Sequence, residues 1–329
     1  MFILKTKVKI AGFSMDSIHN IKVNKSIHEY TDKCEIKIPA TARLKQNGLF
    51  ITNSIDTAKQ IKEGDKVVVD AGYNDDMQNE FTGFVSRVNF TTPCSIECEG
   101  YSWQLRSKSG LIKSWKQTTL KEVLKFITEG TDIKLSKDIP DVPITPMYIK
   151  NQNGSEVLDW IKDKLFLTAY FIGSELYVGL QEATQLHNVA KYKLGWNTIK
   201  DNQLKYRHED EVKIRVKAIY KDKHGKLKNK EFGDKNGMMR TVVLGRVDDM
   251  KLLEDLALKK AKEFRYSGYE GKITAFLQPY CQPGYKAVLI DEKYNEREGD
   301  YILESVETTI GINGGRRVIE IGKRVSKQK

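Results

Sequence analysis

The sequence predicts a mainly β (α+β) protein: two similar antiparallel β-barrel-like domains, an α/β insertion between them, and a long helix within the second. Three observations carry that expectation. Apolar and polar residues alternate with period two near both ends of the chain, helical periodicity is confined to the middle and to a stretch near residue 250, and one strand-loop-strand pattern occurs twice. A length of 329 residues suits two or three domains. With 40% apolar and 30% charged residues and only seven prolines, the composition is that of a soluble globular chain rather than a disordered one. Four cysteines are too few for a disulfide scaffold. No apolar run approaches the ~18 residues of a membrane helix. Lys5, Lys7 and Lys9 interrupt the apolar start that a signal peptide would need, so a reducing cytosol is the expected folding compartment. Lys and Arg outnumber Asp and Glu by 55 to 44, a formal charge of +11 that suits an acidic partner and says nothing of fold.

In chain order, Val8, Ile10, Ile18, Ile21 and Val23 lead into the alternating Cys34–Pro39 segment. Strands are then expected at Asp65–Gly72, Phe81–Val88 and Ser95–Gly100, separated by short polar loops. Such close spacing with period two indicates an antiparallel barrel or sandwich. Near residue 110 the period changes: Leu120, Val123, Leu124 and Ile127 share one helical face, Thr119 and Glu122 form a capping box, and Gly130 sits at the C-terminal cap. A proline-rich connection (Pro140, Pro143, Pro146) precedes a second helix from Ser155, which buries Leu158, Ile161 and Leu165. Gly173-Ser174 is a two-residue hairpin signal between Thr168–Ile172 and Glu175–Val178. Strands return from about residue 202, with a hairpin tip at Lys223–Lys226. A helix is expected from about Asp248 to Tyr266, its stripe of Leu253, Leu256, Ala257 and Phe264 seated on the second barrel. Four more strands follow it. The expected domains are therefore 1–107, 108–200 and 201–329, the last carrying helix 248–266.

The second β region repeats the first. Gly64, Lys66, an acidic loop, Phe84–Val88 and Ile96 recur as Gly284, Lys286, an acidic loop, Ile302–Val306 and Ile319.

Catalytic chemistry is not signalled. Cys94 and Cys98 would lie ~13 Å apart along a strand, too far to chelate one metal ion. His19, His28, His187, His208 and His224 have no metal-site spacing. No Gly-x-Ser-x-Gly elbow and no phosphate loop occur. Two carboxylates could serve a glycosidase, but Asp75-Asp76 and Asp291-Glu292 fall in expected hairpin loops. Asp248-Asp249 starts a helix, where acids favour the dipole. No catalytic, metal or cofactor residue is expected, and hence no enzyme.

The last 80 residues carry a pattern: the Leu256–Lys262 helix, then Glu270–Phe276, Gln282–Val288, Glu298–Val306 and a final Gly322-Lys-Arg324. It resembles the baseplate hub proteins of contractile phage tails, the late control protein D family. That family shares its superfamily with the N-terminal half of the type VI secretion spike protein. Lys62–Val69, Phe81–Val85, Glu99–Leu105 and Gly154–Trp160 extend the resemblance over nearly the whole chain. The resemblance implies a homotrimer whose two modules per chain make a pseudo-sixfold ring between tail tube protein and threefold spike protein. It places that ring in a virion tail or baseplate assembled in the bacterial host cytoplasm. Because the sequence stops at Lys329, the spike is expected to be a separate chain, and no membrane insertion is expected.

One feature lies outside that frame. Between Lys213 and Lys230 stand eight basic residues and one acid, Asp222. Alternation puts Lys213, Arg215 and Lys217 on one face, opposite Val212, Ile214 and Val216, as a continuous positive row. The row is a solvated face, a contact for acidic neighbours in the tail, or a lining for passing DNA. A nucleic-acid-binding module using strand 213–230 is the alternative function, and a cell-wall hydrolase the third.

Overall fold

The computed structural model describes residues 3–326 other than 16–17, 47–48, 141, 145, 166, 180–187, 223, 247–249, 264 and 266. Strands β1 (Leu4–Ile10), β2 (Phe13–Met15), β3 (Asn20–Ser26), β4 (Lys33–Ile38), β5 (Thr41–Gln46) and β6 (Leu49–Asp56) precede the single-turn helix α1 (Thr57–Gln60). Then come β7 (Lys66–Tyr73), β8 (Asp76–Asn89) and β9 (Cys94–Glu99). The middle holds α2 (Ser102–Ser107), β10 (Leu111–Trp115), β11 (Thr118–Thr119), α3 (Leu120–Thr128), β12 (Lys134–Leu135) and β13 (Pro143–Ile144). It continues with β14 (Met147–Gln152), α4 (Gly154–Leu165), β15 (Thr168–Ile172) and β16 (Glu175–Gly179). The last third comprises β17 (Val189–Lys193), β18 (Thr198–Arg207), β19 (Ile214–Lys221), β20 (Leu227–Gly233) and β21 (Met238–Arg246). Helix α5 (Met250–Glu263) and strands β22 (Gly268–Ala275), β23 (Lys286–Ile290), β24 (Gly299–Gly311) and β25 (Gly314–Ser326) complete it.

The fold is mainly β. Its largest sheet has 13 strands in the path β18-β22-β25-β24-β3-β4-β9-β8-β7-β1-β2, with β23 added to β24 and β17 to β23. Two modules share this sheet, and their strand orders correspond: β3-β4-β9-β8-β7 in the first and β18-β22-β25-β24-β23 in the second.

The correspondence extends to single hydrogen bonds. The Gly64 N–H donates to the Val85 carbonyl at 2.8 Å, and the Gly284 N–H to the Leu303 carbonyl at 2.8 Å. Val85 donates back to Asp65, and Leu303 to Tyr285, both at 2.9 Å. Each turn has glycine in the left-handed region, at φ +88° and +86°, where a Cβ would be strained. A bulge falls between Val85 and Arg87 in β8, and between Leu303 and Ser305 in β24. The Val88·Ile96 pair has its counterpart in Val306·Ile319. The sequence repeat is thus a structural repeat.

Between the modules sits the α/β insertion. The capping box of α3 forms as expected, Thr119 Oγ1 accepting from the Glu122 N–H and Glu122 from the Thr119 N–H. Gly130 follows α3 at φ +75°, and the Gly173-Ser174 turn joins β15 to β16. Leu120, Val123, Leu124 and Ile127 pack with Leu158 and Ile161 of α4 in a core that reaches Phe84 of β8. Tyr170 and Tyr177 of the β15–β16 hairpin pack instead on Ile27 and Ile302. Phe84 and Ile302 are repeat equivalents, facing Lys66 and Lys286 respectively. The insertion is therefore wedged against the same position of each module.

Two expectations are corrected. Helix α5 does not sit on the second barrel: Leu253, Ala257 and Ala261 pack on Val212 and on Ile214, Val216 and Ala218 of β19, which lies in a separate sheet in the order β20-β19-β21. Strands β19 and β21 are parallel, and α5 is not their crossover but follows them. The expected Phe264 contact lies outside the described residues, whereas Lys259, Lys260 and Lys262 are exposed as expected. In addition, β5, β6 and α2 occupy segments in which no element was expected.

One buried carboxyl makes stability pH-dependent. Asp32, in the connection from β3 to β4, is 7% exposed. Burial pushes its pKa up to about 6, against the pull of Lys25. A carboxyl that holds its proton more tightly folded than unfolded favours the fold at low pH, and that contribution is lost as pH rises through about 6. Asp32→Asn is expected to stabilise the protein by up to about 3 kcal/mol at pH 8 and by little at pH 4. Melting temperatures at the two pH values check this, and equal shifts at both would refute it.

Candidate assembly site

The junction of the two modules is a backbone seam. The C-terminal half of β24, Ser305–Gly311, pairs antiparallel with β3 in continuous register, from Ser305·Ser26 to Gly311·Asn20. Because side chains alternate across a strand, this register aligns Ile310, Ile21, Ile36 and Ile96 in one row crossing four strands. All four are buried, and Ile310 and Leu277 complete the core of the first module from the second half of the chain.

Beneath the seam lies a buried ion pair. Arg317 of β25 is fully buried, and its Nη2 donates to Glu80 Oε1 of β8 at 2.5 Å, with the Glu80 side chain 5% exposed. Arg317 Nη1 donates to the Leu277 and Pro279 carbonyls at 2.7 and 2.9 Å. Thr308 Oγ1 donates to Glu80 Oε2, and the Tyr280 ring lies 5.3 Å from the guanidinium. Burial opposes the Arg317 charge, but Cys281, Glu80 and Tyr192 around it outweigh that cost and hold its pKa above the ordinary value. Burial also raises the Tyr192 hydroxyl, which donates to Cys281 Sγ at 3.2 Å. This arrangement locks the segment 277–281 of the second module against the first. A charge with all these partners suits a fixed joint.

This joint is not among the sequence-based expectations, although the sequence carries a signal for it. Arg317 shares alternation parity with Ile319 and Ile321 and therefore belonged on their buried face.

The three basic residues singled out in the sequence lie together. Val212, Ile214 and Val216 are buried under α5, and Lys213, Arg215 and Lys217 point to the other face, Lys213 exposed and the other two half-buried. The row is not the continuous positive stripe expected. Glu231, one residue past the basic window, faces Lys217 from β20 and forms an ion pair with Arg215. Burial lowers the Lys217 pKa, Glu231 opposes that, and Lys164 of α4 adds to it. Asp222 caps the β19–β20 hairpin, accepting from the His224 and Lys226 N–H groups, and pairs with Lys228 at 3.1 Å.

The carboxylate clusters are occupied structurally. Asp75 pairs with Lys5 at 2.8 Å, and Asp76 accepts from Gln78 and Gln278. Asp291 accepts from the Lys293 and Tyr294 N–H groups and pairs with Arg297. Asp248 and Asp249 lie outside the described residues. Among the described residues, no group of three His, Cys, Asp or Glu side chains could hold a metal ion. A cleft of about 800 Å³ is lined by both signs of charge, among them Lys205, Arg207, Arg240, Glu270, Glu304 and Glu320. No described helix is long and apolar enough to cross a membrane.

The fold of this chain, a repeated β module with an insertion wedged between the copies, is matched by solved phage tail and type VI secretion proteins. The chain matches the prophage MuSo2 43 kDa tail protein from Shewanella oneidensis at 15% identity, covering 98% of both chains with a TM-score of 0.61. A tail protein from Neisseria meningitidis matches at 13% identity over 97% of this chain and 96% of that one, with a TM-score of 0.63. An Escherichia coli component of the type VI secretion system, itself similar to T4 bacteriophage tail proteins, matches at 9% identity over 97% of this chain and 79% of its own, with a TM-score of 0.56. No family model matches the sequence, and no curated protein matches it. These folds are the group to which the sequence resemblance pointed.

Proposed function

We propose that this chain is a structural hub of a phage tail or related injection machine, acting through interfaces rather than bond chemistry. In this reading three copies form a pseudo-sixfold ring that joins a tail tube protein to a threefold spike protein, assembled in the host cytoplasm. The observation that carries it is the repeat. Two modules with matching strand order, bulge and turn, joined in one sheet, give six like units from three chains. A protein with sixfold neighbours on one side and threefold neighbours on the other needs that ratio. The division 1–107, 108–200 and 201–329 is part of the same proposal, with β19–β21 and α5 as an appendage of the third part.

Three copies of the 37.7 kDa chain give a particle of about 113 kDa. Light scattering is expected to find that mass, with a central channel in particle images. Monomer alone at tens of micromolar would count against self-assembly.

For Lys213, Arg215 and Lys217 we propose contact with an acidic neighbour in the tail. Reversing all three to Glu is expected to weaken that assembly and leave DNA affinity unchanged. A log-log salt slope for DNA that falls by roughly 0.9 per lost contact would instead favour the nucleic-acid reading.

A further inference from the structure

The repeat also indicates which surfaces of neighbouring copies meet. Within the chain, the second module reaches the first through β24 and β3. The equivalent of β24 is β8, and the equivalent of β3, the strand beside β22 as β3 lies beside β4, is β18. Both have an unpaired stretch among the described residues. Strand β8 pairs with β7 only as far as Phe84, so its edge on that side is open from Arg87 onward. Strand β18 pairs with β22 on one side and ends the sheet on the other. Resting on the proposed ring, we infer that β18 of one copy pairs with Arg87–Phe90 of the next copy, in the register that β3 and β24 use within the chain.

The register follows residue by residue. Val306, Glu307 and Thr308 face Lys25, Asn24 and Val23. Their equivalents in β8 and the loop after it are Val88, Asn89 and Phe90, fixed by Val88·Ile96 matching Val306·Ile319. Val23 faces Cys34, which faces Cys98; Leu204 faces Gly271, which faces Ile321. Leu204, Lys205 and Tyr206 are therefore the equivalents of Val23, Asn24 and Lys25. The transferred pairs are Val88 with Tyr206, Asn89 with Lys205, and Phe90 with Leu204 of the neighbouring copy.

The apolar positions of the two strands fit this pairing. One face of the new pair carries Val88, Phe90, Leu204 and Tyr206, all apolar or aromatic, and the other carries Asn89 and Lys205. Arg87 comes opposite Arg207, whose guanidinium Glu270 already holds at 2.7 Å. Phe90 is 73% exposed and Tyr206 43% exposed in the single chain. Large apolar side chains beside open strand edges are what an isolated protein avoids, and the pairing covers both. The contact is heterologous, as a closed ring of three copies requires.

The test is a cross-link in the full chain. Asn89→Cys combined with Lys205→Cys, oxidised with excess oxidised glutathione, is expected to give covalent two- and three-chain bands on a non-reducing gel. The four native cysteines are buried and free, so the wild type and each single variant should give neither band. Phe90→Asp alters a side chain that is mostly in solvent, so the fold should keep its melting temperature while trimer dissociation worsens about tenfold or more. A 113 kDa particle that neither cross-links nor responds to Phe90→Asp would overturn the edge pairing and leave the ring standing. Monomer throughout, with no cross-link, would overturn both.

Discussion

Arg317→Met is expected to destabilise the protein by about 3–5 kcal/mol, because it leaves Glu80 charged and buried with one weak partner. Thr308 Oγ1, at 3.3 Å, is the neutral donor that remains to that carboxylate. The Leu277 and Pro279 carbonyls also lose their shared donor, and each unsatisfied buried carbonyl carries its own penalty. The double variant Glu80→Gln with Arg317→Met should recover much of the loss, since removing both charges removes the uncompensated one. Urea titrations of the wild type, both singles and the double give the coupling energy directly. Additive effects, with the double as unstable as the sum of the singles, would show that the pair does not act as a unit. A fall of the single variant by under 1 kcal/mol would show that water reaches Glu80.

That joint explains how two modules behave as one frame. The backbone seam between β24 and β3 fixes their register, and the side chains of Arg317 and Glu80 fix the segment 277–281 across it. Such a joint holds the two modules in one relative geometry, because packed cores and paired charges admit few alternative arrangements.

Local signals in the sequence reached the elements they govern. The Thr119–Glu122 box, the Gly173-Ser174 turn and the alternation around Val212–Lys217 all describe neighbours a few residues apart, and each is found in place. The repeat was legible because the two copies keep the same glycine turn and the same spacing. Partner choice at long range was not legible. Strand β3 joins β24 across about 285 residues, and nothing in either strand's own alternation distinguishes that partner from any other antiparallel edge. Helix α5 packs on a surface other than the expected one for the same reason: its stripe specifies that it packs, not on what. Glu231 fell just beyond the basic window, and only pairing of β19 with β20 brings it opposite Lys217. Arg317 differs from these. Its parity with Ile319 and Ile321 marked it as buried, and the preference for charge at the surface masked that signal.

The surface under α5 sets the second large expected effect. Leu253 is fully buried against β19, whereas Leu256 is only partly buried. Leu253→Asp would place an unpaired carboxylate among Ile214, Val216 and Ala257, at a cost of several kcal/mol. Leu256→Asp can turn its carboxylate toward water and should cost clearly less. The damage should also be local. Among the described residues, the core formed by α5 and β19–β21 shares no residue with the cores of the two modules, so the appendage can open as a unit while the large sheet persists. Hydrogen exchange of Leu253→Asp is therefore expected to lose protection across residues 212–261 and to keep it in β7–β9 and β23–β25. A uniform loss across all of these strands would show that the appendage and the frame unfold together, and that α5 supports the whole protein rather than its own sheet.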